Sequence, residues 1–404
     1  MSKPVIRGIP LPVAARLPVI ELPAALGRSL GLGHPWVYRD HVPRGFEAPA
    51  GTWVEVRSGS FAAFALWDPD SPLALRIFSR EAPPDAALVE ARVHAALALR
   101  EVTGVTGAAS AYRWVHGEGD GLPGVVVDRY GAFASLSVDT PALEGVVPWV
   151  AEALSRAARL HGVVRRRRGA DTADRLELVT GRLPSRDLVV EEHGHRFVAN
   201  LREGQKTGLF LDQRENRRHV AGLSAGRRVL NLFGYTGAFS VYAARGGAAR
   251  VTTVDVAAGA VEAARENFRL NGLDADAHDF IATDAFEFLA AARPAGDTWE
   301  LVIADPPSFA RSRAHRDRAI ATYARLHEAC LAVTSPGGLY AASSCSTQVS
   351  VEAFRESLAQ AARKLRRSIR IVHDAGHAAD HPILPAHPEG RYLKFIVVRV
   401  EPPR

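Results

Sequence analysis

The chain has 404 residues, 47% of them hydrophobic, so it is longer than one ordinary domain and too apolar to be disordered. Its formal net charge of +6 at pH 7 favours a polyanionic partner, although the excess of arginine over lysine makes charge alone weak support for nucleic acid. Two cysteines exclude a disulfide framework. Because there is no secretory signal pattern and no apolar run of membrane-spanning length, we expect a cytoplasmic protein without a membrane partner.

The first part of the chain consists of short apolar runs separated by Gly, Pro and Asp clusters, which is typical of a small β-barrel or sandwich. The runs are Val19–Leu22, Gly33–Tyr38, Gly51–Val56, Phe61–Trp67 and Leu73–Phe78. A break at Glu81–Asp85 follows, so we place the first domain at residues 1–82.

The motif His34-Pro-Trp-Val-Tyr-Arg39 resembles the PUA domain, a pseudo-barrel that binds RNA. Two interpretations of its aromatic residues remain open, because Trp36 and Tyr38 could simply be core side chains. The resemblance implies an RNA-binding surface that would use three arginines, Arg39, Arg44 and Arg76.

Residues 83–190 are expected to form a small α+β domain. Periodicity predicts two helices and three strands, at Ala86–Glu101, Tyr112–Val115, Gly124–Asp128, Phe133–Val138 and Leu143–Leu160. The run Arg165–Arg168 predicts a solvated turn, with contact to RNA phosphates as the alternative.

The third domain is expected over residues 191–404 and begins with a polar cluster, Gly204 to Arg217. Lys206 and Thr207 do not complete a phosphate-binding P-loop, because the upstream glycine is missing. The cluster could close over a cofactor or hold RNA. The alternative is a helix capped by Asp212 with a charged outer face.

The stretch from Arg228 to Cys345 organises this domain. Val229-Leu-Asn-Leu-Phe-Gly-Tyr-Thr-Gly237 predicts a strand, a tight turn with two glycines and the start of a helix. A second strand ends at Asp255, where dinucleotide folds carry an acid that binds ribose. Three more strand ends follow, at Asp284, at Asp305-Pro-Pro307 and at Ser343-Ser-Cys345.

This series resembles the class I S-adenosylmethionine (SAM) methyltransferases. The resemblance implies an α/β fold with a doubly wound, Rossmann-like sheet, preceded by the PUA-like barrel and the small α+β domain. The glycine turn would wrap the methionine end of the cofactor, Asp255 would bind the ribose hydroxyls and Asp284 the adenine. The full set expected to bind SAM is Gln213, Asn231, Phe233, Gly234, Tyr235, Gly237, Asp255, Asp284, Ala285 and Asp305.

Ordered motifs extend the resemblance to nearly the whole chain. They are Gly204–Gly208, Leu211–Arg214, Phe233–Gly237, Asp305–Phe309, Ser344–Ser346, Asp380–Pro382, Pro388–Gly390 and Tyr392–Lys394. Together they are similar to the PUA-containing bacterial 23S rRNA cytosine-5 methyltransferases. The implied partner is 23S rRNA, either naked or within a large-subunit assembly intermediate, and the oligomeric state stays open.

The chemistry of such a reaction explains which residues would be catalytic. Cytosine C5 is a poor nucleophile, and a thiolate that adds to C6 makes C5 reactive. Cys345 is the candidate, and serines 343, 344 and 346 could donate hydrogen bonds to its thiolate. Asp305 would contact the base at N4 or N3, and Phe309 could stack on it or lie in the core. Cys330 lies in an amphipathic pattern and is expected to be structural.

Other functions remain as alternatives. A uridine-5 methyltransferase would use the same thiolate chemistry, whereas enzymes that methylate guanine N7 or adenine amines need no cysteine. A non-catalytic RNA-binding factor would be expected to have damaged cofactor positions, yet all are present. The histidines at 373, 377, 381 and 387 fit no compact zinc pattern, so no metal is expected.

Overall fold

The computed structural model describes residues 16–167, 175–185, 188–201, 209–310 and 313–401. Its strands are β1 (Val19–Glu21), β2 (Trp36–Tyr38), β3 (Trp53–Ser58), β4 (Phe61–Trp67), β5 (Leu73–Ser79), β6 (Ala111–His116), β7 (Val125–Tyr130), β8 (Phe133–Val138), β9 (Gly162–Arg167), β10 (Arg175–Gly181), β11 (Leu188–Glu192), β12 (His195–Ala199), β13 (Arg228–Leu232), β14 (Arg250–Asp255), β15 (Asp279–Ala282), β16 (Trp299–Ala304), β17 (Thr334–Ser344), β18 (Ile369–Ala375) and β19 (Lys394–Val400). Its α-helices are α1 (Gly27–Gly31), α2 (Ala86–Val102), α3 (Val105–Ala108), α4 (Val147–Ala157), α5 (Arg214–Gly222), α6 (Ala238–Arg245), α7 (Ala258–Leu270), α8 (Ala285–Ala295), α9 (Arg316–Val333) and α10 (Val351–Lys364).

The chain divides into two compact units. The first comprises the described residues of 1–188, 199–208 and 379–390, and the second those of 189–198, 209–378 and 391–404. The division into three domains at residues 82 and 190 stays a prediction. Within the described ranges, no helix is long and apolar enough to cross a membrane.

The N-terminal sheet of the first unit follows the predicted apolar runs. Its strand order is β1-β3-β4-β5-β2, with β1 parallel to β3 and the other pairs antiparallel. Val54, Val56 and Leu75 belong to one buried core cluster of this sheet. Trp53, Leu66 and Phe78 belong to a second one, so side chains on both faces of its strands are buried.

The expectations for individual side chains of this sheet need correction. Arg76 is buried, and its guanidinium lies 3.4 Å from Asp68 and 3.1 Å from Asp139, so it cannot belong to an RNA-binding surface. Tyr38 is 41% exposed and is not a core aromatic. Trp36 is half-buried, and its indole N–H donates to Glu118. Arg44 is exposed, as predicted.

A second five-stranded sheet of the first unit has the order β10-β9-β8-β7-β6. The run expected to be a solvated turn is part of β9, because it pairs with β8 and β10. Arg165 is buried and donates to both carboxylate oxygens of Glu144. Arg168 lies outside the described residues. The expected helix at Leu143–Leu160 is shorter, since a 3-10 helix, Pro141–Val146, precedes α4.

The segment 379–390, which contains the motifs Asp380–Pro382 and Pro388–Gly390, belongs to the first unit. Arg100 is fully buried and forms an ion pair with Asp120. The same guanidinium donates to the backbone oxygen of Asp380 at 2.7 Å. The Asp380 carboxylate accepts the backbone N–H of Arg113 at 2.9 Å, so this segment supplies acceptors to two elements that precede it by more than 260 residues.

The second unit is built on a seven-stranded sheet with the order β15-β14-β13-β16-β17-β19-β18. Neighbouring strands are parallel except for β19, which runs antiparallel to β17 and β18. Helices pack in two groups, α5 to α7 and α8 to α10. This confirms the predicted doubly wound α/β class.

Helix α5 differs from its expectation. Its N-cap is Gln213, not Asp212, which instead accepts a hydrogen bond from the Tyr392 hydroxyl at 2.7 Å. Nor is the helix charged only on an outer face. Arg214 and Arg217 are buried, and Arg217 forms two hydrogen bonds with the carboxylate of Glu192 at 2.8 and 2.7 Å. Gly204 to Gly208 lie outside the described residues.

Candidate active site

The register of the large sheet brings the predicted strand-end residues to one edge. Leu232, Ala304 and Ala342 are paired neighbours on β13, β16 and β17, and Leu232 also pairs with Val254 on β14. The residues that follow these four positions are Phe233, Asp305, Ser343 and Asp255. Because parallel strands end at the same edge, this is where ligands bind in open α/β sheets.

The turn after β13 has a backbone that few residues adopt. Phe233, Tyr235 and Gly237 have φ of 57°, 47° and 75°, and such a left-handed conformation is costly for residues other than glycine. A Cβ at Gly237 would lie 2.7 Å from the Cβ of Ala264. At Gly234 it would lie 2.7 Å from Thr253 Cγ2. The two glycines therefore let the turn pack closely on its neighbours.

The side chains of Asp255 and Asn231 make hydrogen bonds at or next to this turn. Asp255 accepts the backbone N–H of Tyr235 and that of Ala257, both at 2.9 Å. Beneath the turn, the amide of Asn231 donates to Ser240. Asn231 is only 1% exposed, and its side-chain oxygen has no hydrogen-bond partner within the described ranges. Direct binding of the cofactor by this residue stays a prediction.

Asp284 begins helix α8, where its Oδ1 accepts the backbone N–H groups of Phe286 and Glu287 at 2.8 and 3.2 Å. It lies two residues beyond Ala282, which pairs with Asp255 on β14. Ala285, the first residue of the helix, is buried. The two acids therefore end adjacent strands, on the side of the glycine turn away from β16.

On the other side of the turn, Gln213 connects α5 to the strand ends. Its amide nitrogen donates to Asp305 Oδ1 at 3.0 Å and to Ser343 Oγ at 2.8 Å. Its amide oxygen accepts from Asn216 at 2.6 Å, and Asn216 also donates to the backbone oxygen of Gly376. Gln213 is 2% exposed. Its amide is thus engaged by protein groups and fixes the orientation of Asp305.

Cys345 follows β17 directly and is half-buried. The three serines around it differ in their contacts. Ser344 donates its hydroxyl to Tyr323 at 2.9 Å, so it does not donate to a Cys345 thiolate as expected. Ser343 accepts from Gln213 and keeps its own proton to donate. The hydroxyl of Ser346 is buried and has no hydrogen-bond partner within the described ranges.

Comparison with known proteins identifies what this arrangement belongs to. A family model described as S-adenosylmethionine-dependent methyltransferase matches residues 139–382, and a PUA-like domain model matches residues 20–80. A relative from Deinococcus radiodurans, named ribosomal RNA large subunit methyltransferase, is 41% identical over 385 residues, 91% of this chain and 94% of its own length. The chain belongs to this family of SAM-dependent methyltransferases.

Another relative and two solved structures match almost the whole length of this chain. The ribosomal RNA large subunit methyltransferase I of Shewanella denitrificans is 35% identical over 399 residues, 94% of this chain and 99% of its own length. A crystal structure from Streptococcus mutans, assigned as a SAM-dependent methyltransferase, has a TM-score of 0.84 at 23% identity. Another, of a methyltransferase complexed with SAH, has a TM-score of 0.85 at 23% identity. Each covers 95% of this chain and 100% of its own, and shows the fold.

The cofactor of the methyltransferase is SAM, and the residues at the strand edge fit such a ligand. The glycine turn is too tightly packed against Thr253 and Ala264 for a side chain at position 234 or 237. Asp255 and Asp284 supply carboxylates at adjacent strand ends, as a ligand with a ribose and an exocyclic amine requires. Nothing in the described part of this edge contradicts the family assignment.

Two buried groups of the methyltransferase lie beside Cys345 and change its electrostatics. Tyr323 has a raised pKa, mainly because it is buried and also because Cys345 and Asp305 are negative when ionised. Lys394 is 2% exposed, and burial lowers the pKa of its ammonium to about 8, an effect that Cys345 partly opposes. Lys394 belongs to the motif Tyr392–Lys394, but no local pattern predicted a role for its side chain.

Phe309 and Cys330 are both packed against other side chains of the core. Phe309 is half-buried and packs against the core, with its ring centroid 4.9 Å from that of Tyr323. Cys330 is fully buried on α9, and burial raises the pKa of its thiol to about 12. A thiol with such a pKa is not ionised near pH 7, which excludes Cys330 as a nucleophile.

Proposed function

We propose that the protein transfers a methyl group from SAM to C5 of a cytosine in 23S rRNA, through a covalent bond between Cys345 and C6 of the base. The observation that carries the proposal is the placement of Cys345 and Asp305 at the ends of adjacent strands, next to the glycine turn. The named activity of the relatives, methylation of large-subunit rRNA, supports the choice of substrate.

Cys345 would begin the reaction by adding its thiolate to C6. The electrons of the C5–C6 double bond then become available at C5, which is otherwise too weak a nucleophile. C5 forms its new bond to the electrophilic methyl carbon that SAM supplies when bound, as the bond between that carbon and the SAM sulfur breaks. The C5 proton must then leave to a base, and elimination of the Cys345 thiolate restores the double bond and frees the product.

Asp305 would hold the target base. Its carboxylate, oriented by Gln213, can accept a hydrogen bond from the exocyclic N4 amine of cytosine. Uracil has a carbonyl oxygen at that position and a proton on N3, so its pattern of donors differs. The contact therefore favours cytosine over uridine, which is the second candidate substrate. To reach this edge, the base must leave its helix stack.

The cofactor would be held by the residues around the glycine turn. Phe233, Gly234, Tyr235 and Gly237 provide its backbone, while Asp255 would bind the ribose hydroxyls. Asp284 and Ala285 would contact the adenine. Gln213 and Asn231 contribute through the groups that they hold in place, Asp305 and the turn itself.

Replacement of Cys345 by alanine tests the proposal. We expect wild-type protein to produce 5-methylcytidine on unmodified 23S rRNA, and Cys345→Ala to lose at least about 10³-fold in rate because no adduct forms. Nucleoside analysis after transfer from labelled SAM measures both. The matched control is Cys330→Ala, which removes the buried thiol and should keep the activity of any protein that folds.

The product distinguishes the alternatives. 5-Methyluridine would identify the uridine-5 enzyme, with the cysteine mechanism intact. A methylated nucleoside that survives Cys345→Ala would exclude the thiolate mechanism. Tight binding of rRNA and SAM with no methylated product on naked RNA or on large-subunit assembly intermediates would favour a non-catalytic binding factor.

A further inference from the structure

Lys394 occupies the strand position beside the candidate nucleophile. It is the first residue of β19 and pairs with Ser344, which directly precedes Cys345 on β17. The chain has only four lysines among 50 lysines and arginines, so a lysine here is unusual for its composition. Burial of a charged side chain at 2% exposure is also unusual and requires hydrogen-bond partners.

The ammonium of Lys394 uses all three of its donors on backbone oxygens. It donates to Ser346, to Val349 at 2.8 Å and to Tyr392 at 2.9 Å. Ser346 is the residue after Cys345, and Val349 lies three residues further along the same loop. Lys394 therefore contacts the chain on both sides of Cys345. It pairs with Ser344 in the sheet, and its ammonium donates to the backbone oxygens of Ser346 and Val349.

Ionisable groups of opposite sign face Cys345. Asp305 on the neighbouring strand end is negative when ionised and opposes a second negative charge nearby. Tyr323 on α9 also faces this site, and its raised pKa keeps it neutral. Lys394 on β19 can offset the anions, since a pKa of about 8 leaves its ammonium mostly protonated at pH 7.

We propose that Lys394 is a positioning residue that fixes the loop after Cys345 and stabilises the Cys345 thiolate by its charge. The inference rests on the proposed nucleophilic role of Cys345. Arginine would not substitute fully, because its flat guanidinium cannot direct three N–H groups from one nitrogen to three converging oxygens. A lysine is thus required by geometry as well as by charge.

Alkylation of Cys345 by iodoacetamide as a function of pH tests the inference without any methyl transfer. Cys330 is inert because it is buried, so mass spectrometry of the Cys345 peptide reports one thiol. In wild-type protein the thiol should titrate below about 8.5, the ordinary value. Lys394→Met should raise that apparent pKa by about one unit and slow alkylation at pH 7 about 10-fold. Lys364→Met is the matched control, since that lysine is exposed on α10 and should leave the profile unchanged.

The possible results separate this inference from the proposed function. If the Cys345 thiol of the wild-type protein titrates at or above about 8.5, the inference is wrong, even if Lys394→Met does not fold. It is also wrong if Lys394→Met folds and its alkylation has the same pH profile as wild type. Lys394→Arg should keep most of the decrease in the Cys345 thiol pKa, because it keeps the positive charge. It should lower kcat, because arginine cannot fix the loop after Cys345 in the same way. If instead Cys345→Ala still methylates RNA while Lys394→Met shifts the alkylation profile, the proposed function fails and the charge effect stands.

Discussion

One amide group joins helix α5 to the reacting edge of the sheet. Gln213 donates to Asp305 and Ser343 and accepts from Asn216, which leaves its amide fully used within the protein. A side chain in this position can determine where the Asp305 carboxylate points without contacting either substrate. Its effect should therefore be seen in the rate of the reaction rather than in the affinity for SAM.

Replacement of Gln213 by leucine separates these two roles. We expect Gln213→Leu to lower kcat by about 10- to 100-fold, because Asp305 loses the donor that orients it. The Kd for SAM, measured by calorimetry, should change less than about threefold. Gln360→Leu, on the exposed face of α10, is the control and should change neither value. A loss of SAM affinity as large as the loss of kcat would show that Gln213 contacts the cofactor.

The sequence indicated the residues that end strands and missed those that reach the site from elsewhere. Asp255 and Asp305 follow apolar runs, and parallel strands place such residues on one edge. Lys394 contacts Ser346 and Val349, which are 48 and 45 positions away, and Asn216 contacts Gly376, which is 160 positions away. No local pattern encodes such pairs. The signal that was available for Lys394 was its rarity, as one of four lysines in an arginine-rich chain.

At the scale of single elements, the glycine turn is where the backbone itself makes the site. Gly237→Ala and Gly296→Ala both place a Cβ on a glycine with φ near 75°, but only the first meets an obstacle, Ala264, at 2.7 Å. We expect Gly296→Ala to cost about 1 kcal/mol of unfolding free energy and Gly237→Ala about 2–3 kcal/mol. Only Gly237→Ala should weaken SAM binding, by at least about 10-fold. Equal effects of the two variants on both measurements would contradict this.

Charged segments were the elements that the sequence predicted least well. The arginines of α5 and β9 suggested solvated faces, because a charge without a partner stays in water. Arg217 is buried by its pairing with Glu192, and Arg165 by its pairing with Glu144. These acids lie 25 and 21 residues away in the chain. Apolar strands such as β13 and β16 were predicted well, since their burial needs no specific partner.

For the molecule as a whole, histidines whose pKa is lowered by full or partial burial predict loss of stability in acid. Within the described parts of the chain, burial lowers the pKa of seven histidines below 6.5 in the folded state, namely His193, His195, His219, His278, His327, His373 and His387. The unfolded chain then binds more protons below pH 6.5. The contribution of these histidines to the unfolding free energy is therefore fully present above pH 6.5 and decreases as the pH falls below that value.

His327 should make the largest identifiable contribution, because it is fully buried and its pKa is lowered to about 3. Between pH 7.5 and 5, it should account for a loss of about 2 kcal/mol of unfolding free energy. Urea unfolding should show that the unfolding free energy of His327→Gln decreases over this pH range by about 2 kcal/mol less than that of wild type. The control is His94→Gln, on the exposed side of α2. Parallel curves for wild type and His327→Gln would contradict the prediction.

The discontinuity of the first unit has a consequence for how the protein is made. Arg100 and Arg113 hydrogen-bond to Asp380, which follows them by 280 and 267 residues. At about 5–20 residues per second, a ribosome adds both arginines at least about 13 s before it adds Asp380. Until then these groups must stay solvated, and the N-terminal sheets cannot complete their hydrogen bonding. The part of the protein that is synthesised first is therefore finished by a segment synthesised near the end.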